Sequence, residues 1–182
     1  MAYAKLNARL RPMDRGGLYE DPLQEALEAD GFAEVVGGGT MLQESGEVDY
    51  CGIDIDLRDV ERGVPMICAT LEALGAPKGS VLTYTRDDTP HEVPFGRNEG
   101  LAIYFNGTDL PPHVYAESDI NHVWQEIERR IDGIGKIHSY WEGARETALY
   151  LYGDSAALMR ERIADFMAAY PLCERARYDI VA

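Results

Sequence analysis

Apolar residues recur along this chain with two alternating periods. Over residues 3–10, Ala4, Leu6, Ala8 and Leu10 share one side and Tyr3, Lys5, Asn7 and Arg9 the other, the two-residue period of a strand. A helix start follows: Asp21 is a capping residue, Pro22 suits the first helical position, and Gln24 completes a box-like arrangement. Leu23, Ala26 and Leu27 form its apolar side and Gly31 stops it. Residues 32–36 read as a second strand, and Gly37-Gly38-Gly39-Thr40 opens a long connection, a bulged or mobile hairpin using glycine's freedom. In a third strand, 48–57, Cys51, Ile53, Ile55 and Leu57 face one way and Tyr50, Asp54 and Asp56 the other. Val64, Ile67, Leu71 and Leu74 then make a helical stripe ended by Gly75 and Pro77, and residues 80–84 supply a fourth strand.

After a charged, proline-containing stretch at 85–98 the order repeats. Leu101, Ile103 and Phe105 mark a strand, and Ser118 or Asp119 starts a helix with the stripe Ile120, Val123, Trp124, Ile127 and Ile131, closed by Gly133. Residues 136–142 and 146–152 form a hairpin across Gly143-Ala144. Asp154 starts a helix carrying Met159, Ile163, Phe166, Met167 and Tyr170, and residues 177–181 form the last strand. The pattern predicts an α+β chain of tandem duplicated ferredoxin-like (βαββαβ) units, 1–84 and 99–182, joined by a linker at 85–98. Each unit would be a four-stranded antiparallel sheet with two helices on one face.

Such a unit leaves its other sheet face bare, and those faces hold the candidate chemistry. The first carries Tyr3, Lys5, Asn7, Arg9, Tyr50, Asp54 and Asp56, with Lys5 and Arg9 placed to form a charge ladder against the two aspartates. Two carboxylates at i and i+2 are too few for a hard-metal site, but suit docking of a basic partner. The second face gathers Tyr104, Asn106, His138, Tyr140, Tyr150 and Tyr152, flat aromatic area with hydroxyls, the composition of interfaces. These tyrosines either fill a seam between the sheets or contact a partner or ligand. The candidate binding residues are therefore Tyr50, Asp54, Asp56, Tyr104, His138, Tyr140, Tyr150 and Tyr152.

Charge narrows the partners. With 32 acidic and 17 basic residues among 182, the formal net charge is −15. That sign repels nucleic acid and anionic membrane and attracts a basic protein. Three widely spaced cysteines, Cys51, Cys68 and Cys173, read as buried thiols in a reducing compartment, so a cytosolic location is expected. No catalytic residues, cofactor or metal are expected. His91, His113 and His122 have no ligand spacing, and Gly37-Gly38-Gly39-Thr40 joins two strands rather than a strand to a helix, unlike a phosphate loop.

The segments Gly37 to Thr40, Glu47 to Leu57 and Gly75 to Ser80 resemble a family of bacterial proteins without an assigned activity, as do Gly100 to Tyr104 and Tyr140 to Gly143. That resemblance implies no catalytic motif. Small acidic α/β proteins of this kind are similar to inhibitor or immunity proteins that neutralise bacterial toxins, an analogy of size and charge. The first functional expectation is thus an acidic module that binds a basic partner. The alternative is a sensor or enzyme with a small ligand held between the two sheets near Tyr104, His138, Tyr140 and Tyr150. Self-association through bare faces and edges is a third expectation.

Overall fold

The computed structural model describes residues 1–28 and 31–182, and divides them into two compact units, Met1–Asn98 and Glu99–Val181. In the first, β1 (Ala2–Leu6) is followed by a short helix α1 (Pro12–Arg15), a π-helical turn (Gly16–Glu20) and α2 (Asp21–Glu28). Then come β2 (Ala33–Leu42), β3 (Val48–Leu57), α3 (Val60–Ala73), β4 (Ser80–Arg86) and β5 (Thr89–Phe95). All five strands are antiparallel, in the order β2-β3-β1-β4-β5.

Three sequence expectations change here. The chain turns helical at Pro12, whose fixed φ suits the first helical position, well before Asp21. The glycine run is no connection: Gly37, Gly38 and Gly39 pair with Asp54, Ile53 and Gly52, so β2 is ten residues long, with a bulge at Val36. Nor is 85–98 a linker. Asp87 and Asp88, at φ 50° and 60°, make a two-residue turn of the kind that matches strand twist, and it returns the chain as β5. Pro90 and Pro94 fit there because β5 is an edge strand whose outer side needs no donors.

The second unit runs β6 (Glu99–Asn106), α4 (Pro112–Glu117), α5 (Ile120–Ile131), β7 (Gly135–Glu142), β8 (Glu146–Gly153), α6 (Ala156–Ala169), a 3-10 turn (Pro171–Cys173) and β9 (Arg177–Ile180). Its four antiparallel strands lie in the order β7-β8-β6-β9. Asp119 caps α5 by accepting from the Asn121 amide, and Ser155 rather than Asp154 caps α6. Both units thus place the strand order second, third, first, fourth, the first unit adding β5.

Each sheet buries one alternating set of residues. Ala4, Leu6, Ile53, Ile55 and Leu82 are buried with Leu23, Leu27, Ile67 and Leu71 of the helices. In the second unit Leu101, Ile103, Leu149 and Leu151 join Val123, Ile127, Met159 and Ile163 in one cluster. Burial of ten or so such side chains, each worth about 1.5–3 kcal/mol, is what seats the helices on the sheet.

Candidate functional site

Strand register decides which side chains reach the helix-free face of each sheet. In the first unit Tyr3 stands opposite Asp54, and Lys5 opposite Gly52. The Tyr3 ring leans across Gly52, where any Cβ would collide with it. A glycine inside a strand marks such an approach. Gly39 pairs with Gly52, and Gly37 with Asp54, so Gly37 and Gly39 make a flat floor beside the Tyr3 ring that covers Gly52. An ideal Cβ on Gly37 would lie 3.7 Å from the Asp54 carboxylate. Tyr50, paired with Met41, closes the far end, with the Lys5 ammonium 4.1 Å above its ring centre.

The predicted charge ladder does not form. Lys5 is taken by Tyr50, Arg9 pairs with Glu47, and Asp56 accepts from Arg58 at 3.2 Å, whose guanidinium also reaches Glu34. The reason is register. With Tyr3 opposite Asp54 and Lys5 opposite Gly52, Asp56 lies at the start of β1, while Arg9, beyond Leu6, lies at the other end of β3 beside Glu47. Asp54 is left half-buried, and among the described residues no hydrogen-bond donor or cation is paired with its carboxylate. Burial pushes the Tyr3 hydroxyl above its usual range, and nearby Tyr50 and Asp54 add to this while Arg15 opposes it.

On the helix side of the same strands, Gly38 makes room for the Arg15–Glu20 ion pair, and Arg15 donates to Thr40 Oγ1 at 2.7 Å. The π-helical turn between Arg15 and Glu20 brings these two side chains together. The Cys51 thiol on this side is pushed up to about 12 by burial.

In the second unit Tyr104, Tyr150 and Tyr152 do share the helix-free face, joined by His138, whose ring lies 5.2 Å from that of Tyr152. Tyr140 does not. Ile137 pairs with Leu151, but the next pair is Ser139 with Tyr150, so His138 is the extra residue of a bulge. That insertion shifts the alternation by one. Tyr140 therefore faces the helices opposite Leu149, packed edge-on against Trp124 of α5 with ring centres 6.3 Å apart. Nor is the face a bare tyrosine surface: Tyr104, Tyr150 and Tyr152 are only 1–2% exposed. Arg177 lies over the Tyr104 ring, 3.5 Å from its centre, while gripping Glu146 with two hydrogen bonds of 2.9 and 2.7 Å.

Of the predicted residues, then, Tyr50, Asp54 and Asp56 share one face of the first unit, Tyr104, His138, Tyr150 and Tyr152 share one face of the second, and Tyr140 belongs to neither. Tyr3 and the glycines 37, 39 and 52 complete the first face. Their signal in the sequence was Gly52, interrupting an otherwise apolar and acidic strand. Among the described residues no group of three or more His, Cys, Asp or Glu side chains could hold a metal ion, and no helix is long and apolar enough to cross a membrane.

No protein-family model and no curated protein matches this chain. Among solved structures it is similar to the first two RRM domains of yeast poly(U)-binding protein Pub1, at 11% identity and a TM-score of 0.25, covering 100% of this chain and 99% of that one. It is similar also to an unknown protein from Galdieria sulphuraria, at 12% identity and 0.28, covering 98% and 95%. A third is a putative monooxygenase from Lactobacillus acidophilus, at 10% identity and 0.32, covering 98% and 90%. TM-scores this low carry no argument about fold or function.

Proposed function

We propose that this chain is a protein-binding module of the inhibitor or immunity type, engaging a basic partner through the helix-free face of its first unit. The observation that carries this reading is Asp54, a half-buried carboxylate with no cation of its own among the described residues, set beside a glycine floor and Tyr3. A lysine or arginine laid on that floor would meet the carboxylate at one end, with Tyr3 and Tyr50 flanking it. The net charge of −15 adds long-range attraction for such a partner. The second unit's tyrosines are buried, which leaves the first unit's face as the accessible one.

The shared order of elements and strands supports reading the two units as copies of one ferredoxin-like unit, the β4–β5 hairpin being an addition to the first. Three free cysteines fit a cytosolic location. The test is affinity capture from the native host followed by association kinetics with the recovered partner. We expect a stoichiometric basic protein whose association slows steeply with salt, and Asp54→Asn to weaken binding about tenfold or more. Recovery of no such partner, or unchanged affinity in the folded Asp54→Asn variant, would overturn the reading.

A further inference from the structure

A second candidate site lies wholly within the second unit, on the outer side of α6. Arg160, Ala164, Met167 and Ala168 form one row of that helix at spacings of four, three and one. The segment after it supplies the opposite wall, including Arg175 and Tyr178, and between them runs a groove of about 310 Å³. Small side chains make the groove: the alanines at 164 and 168 leave unfilled the width that a leucine would take. The floor is thus apolar, and the polar groups at its walls are guanidinium and phenol, with no carboxylate lining it.

Both arginines are held by the protein, Arg160 without a carboxylate partner among the described residues and Arg175 with only a distant one. Arg160 lies over the Tyr178 ring, 4.5 Å from its centre, and among the described residues no carboxylate stands within ion-pair distance of it. Arg175 adopts a left-handed φ of 62° and donates to the Asp109 carbonyl at 3.2 Å, with Glu174 at 3.9 Å, the outer limit of an ion pair. In a chain with nearly twice as many acids as bases, Arg9, Arg11, Arg15, Arg58 and Arg97 all have closer carboxylate partners. Two guanidinium groups thus stand at the walls of an apolar groove, one with no carboxylate partner among the described residues and the other with only a distant one.

We propose that this groove binds a short aliphatic carboxylic acid, its carboxylate held by Arg160 and Arg175 and its chain lying along Ala164, Met167 and Ala168. The volume is at the small end of the range for ligand pockets, about 300–1,000 Å³, which selects a short acid over a long-chain lipid. An inorganic phosphate would satisfy the arginines but leave the apolar floor wet, and would suffer more from the net charge. An uncharged alcohol would cover the floor but leave the guanidinium groups unanswered.

The test is calorimetric titration of the full chain with butyrate, hexanoate and octanoate, with hexanol and inorganic phosphate as comparisons. Saturable binding that strengthens from butyrate to hexanoate is expected, with hexanol about tenfold or more weaker and phosphate failing to compete. Arg160→Gln should weaken hexanoate about tenfold, and Arg160→Lys should restore part of the loss. Ala168→Leu, a substitution by another good helix former, should fill the groove and abolish binding while the helical circular dichroism is retained. Hexanol matching hexanoate, phosphate displacing it, an absence of saturation, or full affinity in folded Ala168→Leu would each overturn the proposal; should Arg160→Gln fail to fold, Ala168→Leu alone decides it.

Discussion

The helix-free faces of the two units occupy the same place in the same strand order, yet they are built for different ends. In the first unit the central strands present Tyr3, Gly52 and Asp54, a small floor with a half-buried carboxylate and half-exposed rings. In the second the corresponding strands present Tyr104, Tyr150 and Tyr152, which are buried. The second face carries large rings that are covered; the first carries glycines and stays reachable. A shared topology therefore fixes where a binding face can be, while the residues at three or four positions decide what that face offers.

The sharpest way to break that contrast is to truncate one tyrosine on each face. Tyr152→Ala removes a fully buried ring and should cost about 3–5 kcal/mol of second-unit stability, read as lost hydrogen-exchange protection of the β6 and β8 amides. Tyr3→Ala removes a half-buried ring and should cost about 1–2 kcal/mol of first-unit stability. Equal losses from the two substitutions would mean that the faces do not differ as described. A smaller effect tests the register itself. Tyr140→Ala should cost about 2–3 kcal/mol, of which about 0.5–1.5 kcal/mol is coupled to Trp124 in a double-mutant cycle. A tyrosine on the helix-free face would show no coupling to Trp124.

Tyr140 also shows how far the sequence could be read. Strict alternation through residues 136–142 puts His138 and Tyr140 together, and nothing in Ile137-His138-Ser139 announces that two residues will stand opposite Tyr150. A one-residue bulge flips every later side chain, so the error lies in a single pairing rather than in the strand. The strong stripes were legible because burial enforces them: Val64, Ile67 and Leu71 on α3, and Val123, Ile127 and Ile131 on α5, are all buried. The β4–β5 hairpin was not, because Pro90, Pro94 and the charges around Asp87 are loop chemistry that an edge strand tolerates. Likewise Gly37 to Thr40 look like a loop until their partner strand is known, since cross-strand contact with Gly52 and Ile53 is a property of pairing and not of local propensity. The charge ladder failed for a similar reason: Lys5 and Arg9 had the correct sign and parity, but the antiparallel register sets Tyr3 opposite Asp54 and Lys5 opposite Gly52, and carries Arg9 to Glu47 at the far end from Asp56.

The smallest expected effect sharpens the comparison from the acid side. In the second unit Glu126 is clamped on α5 by Arg129 and Arg130, and hydrogen bonds from those two arginines lower its carboxyl from the usual 4.5 to about 2. A carboxylate with a depressed folded-state value binds protons more weakly when folded than when unfolded. Its contribution is therefore fully present above about pH 4.5 and is lost as the pH falls towards 2. Glu146, held by Arg177, is lowered in the same direction by its hydrogen bonds and adds to the same slope. Because Glu126 lies partly exposed at the helix surface, solvent screening keeps the gain modest. The expectation is that Glu126→Gln flattens the acid limb of second-unit stability between pH 4.5 and 2, lowers stability at pH 7 by the same modest amount, and leaves the exchange of first-unit amides untouched. An acid limb unchanged by Glu126→Gln would show that the pair on α5 is a surface contact without thermodynamic weight, and would place the acid sensitivity of this unit on the Glu146–Arg177 clamp beside Tyr104.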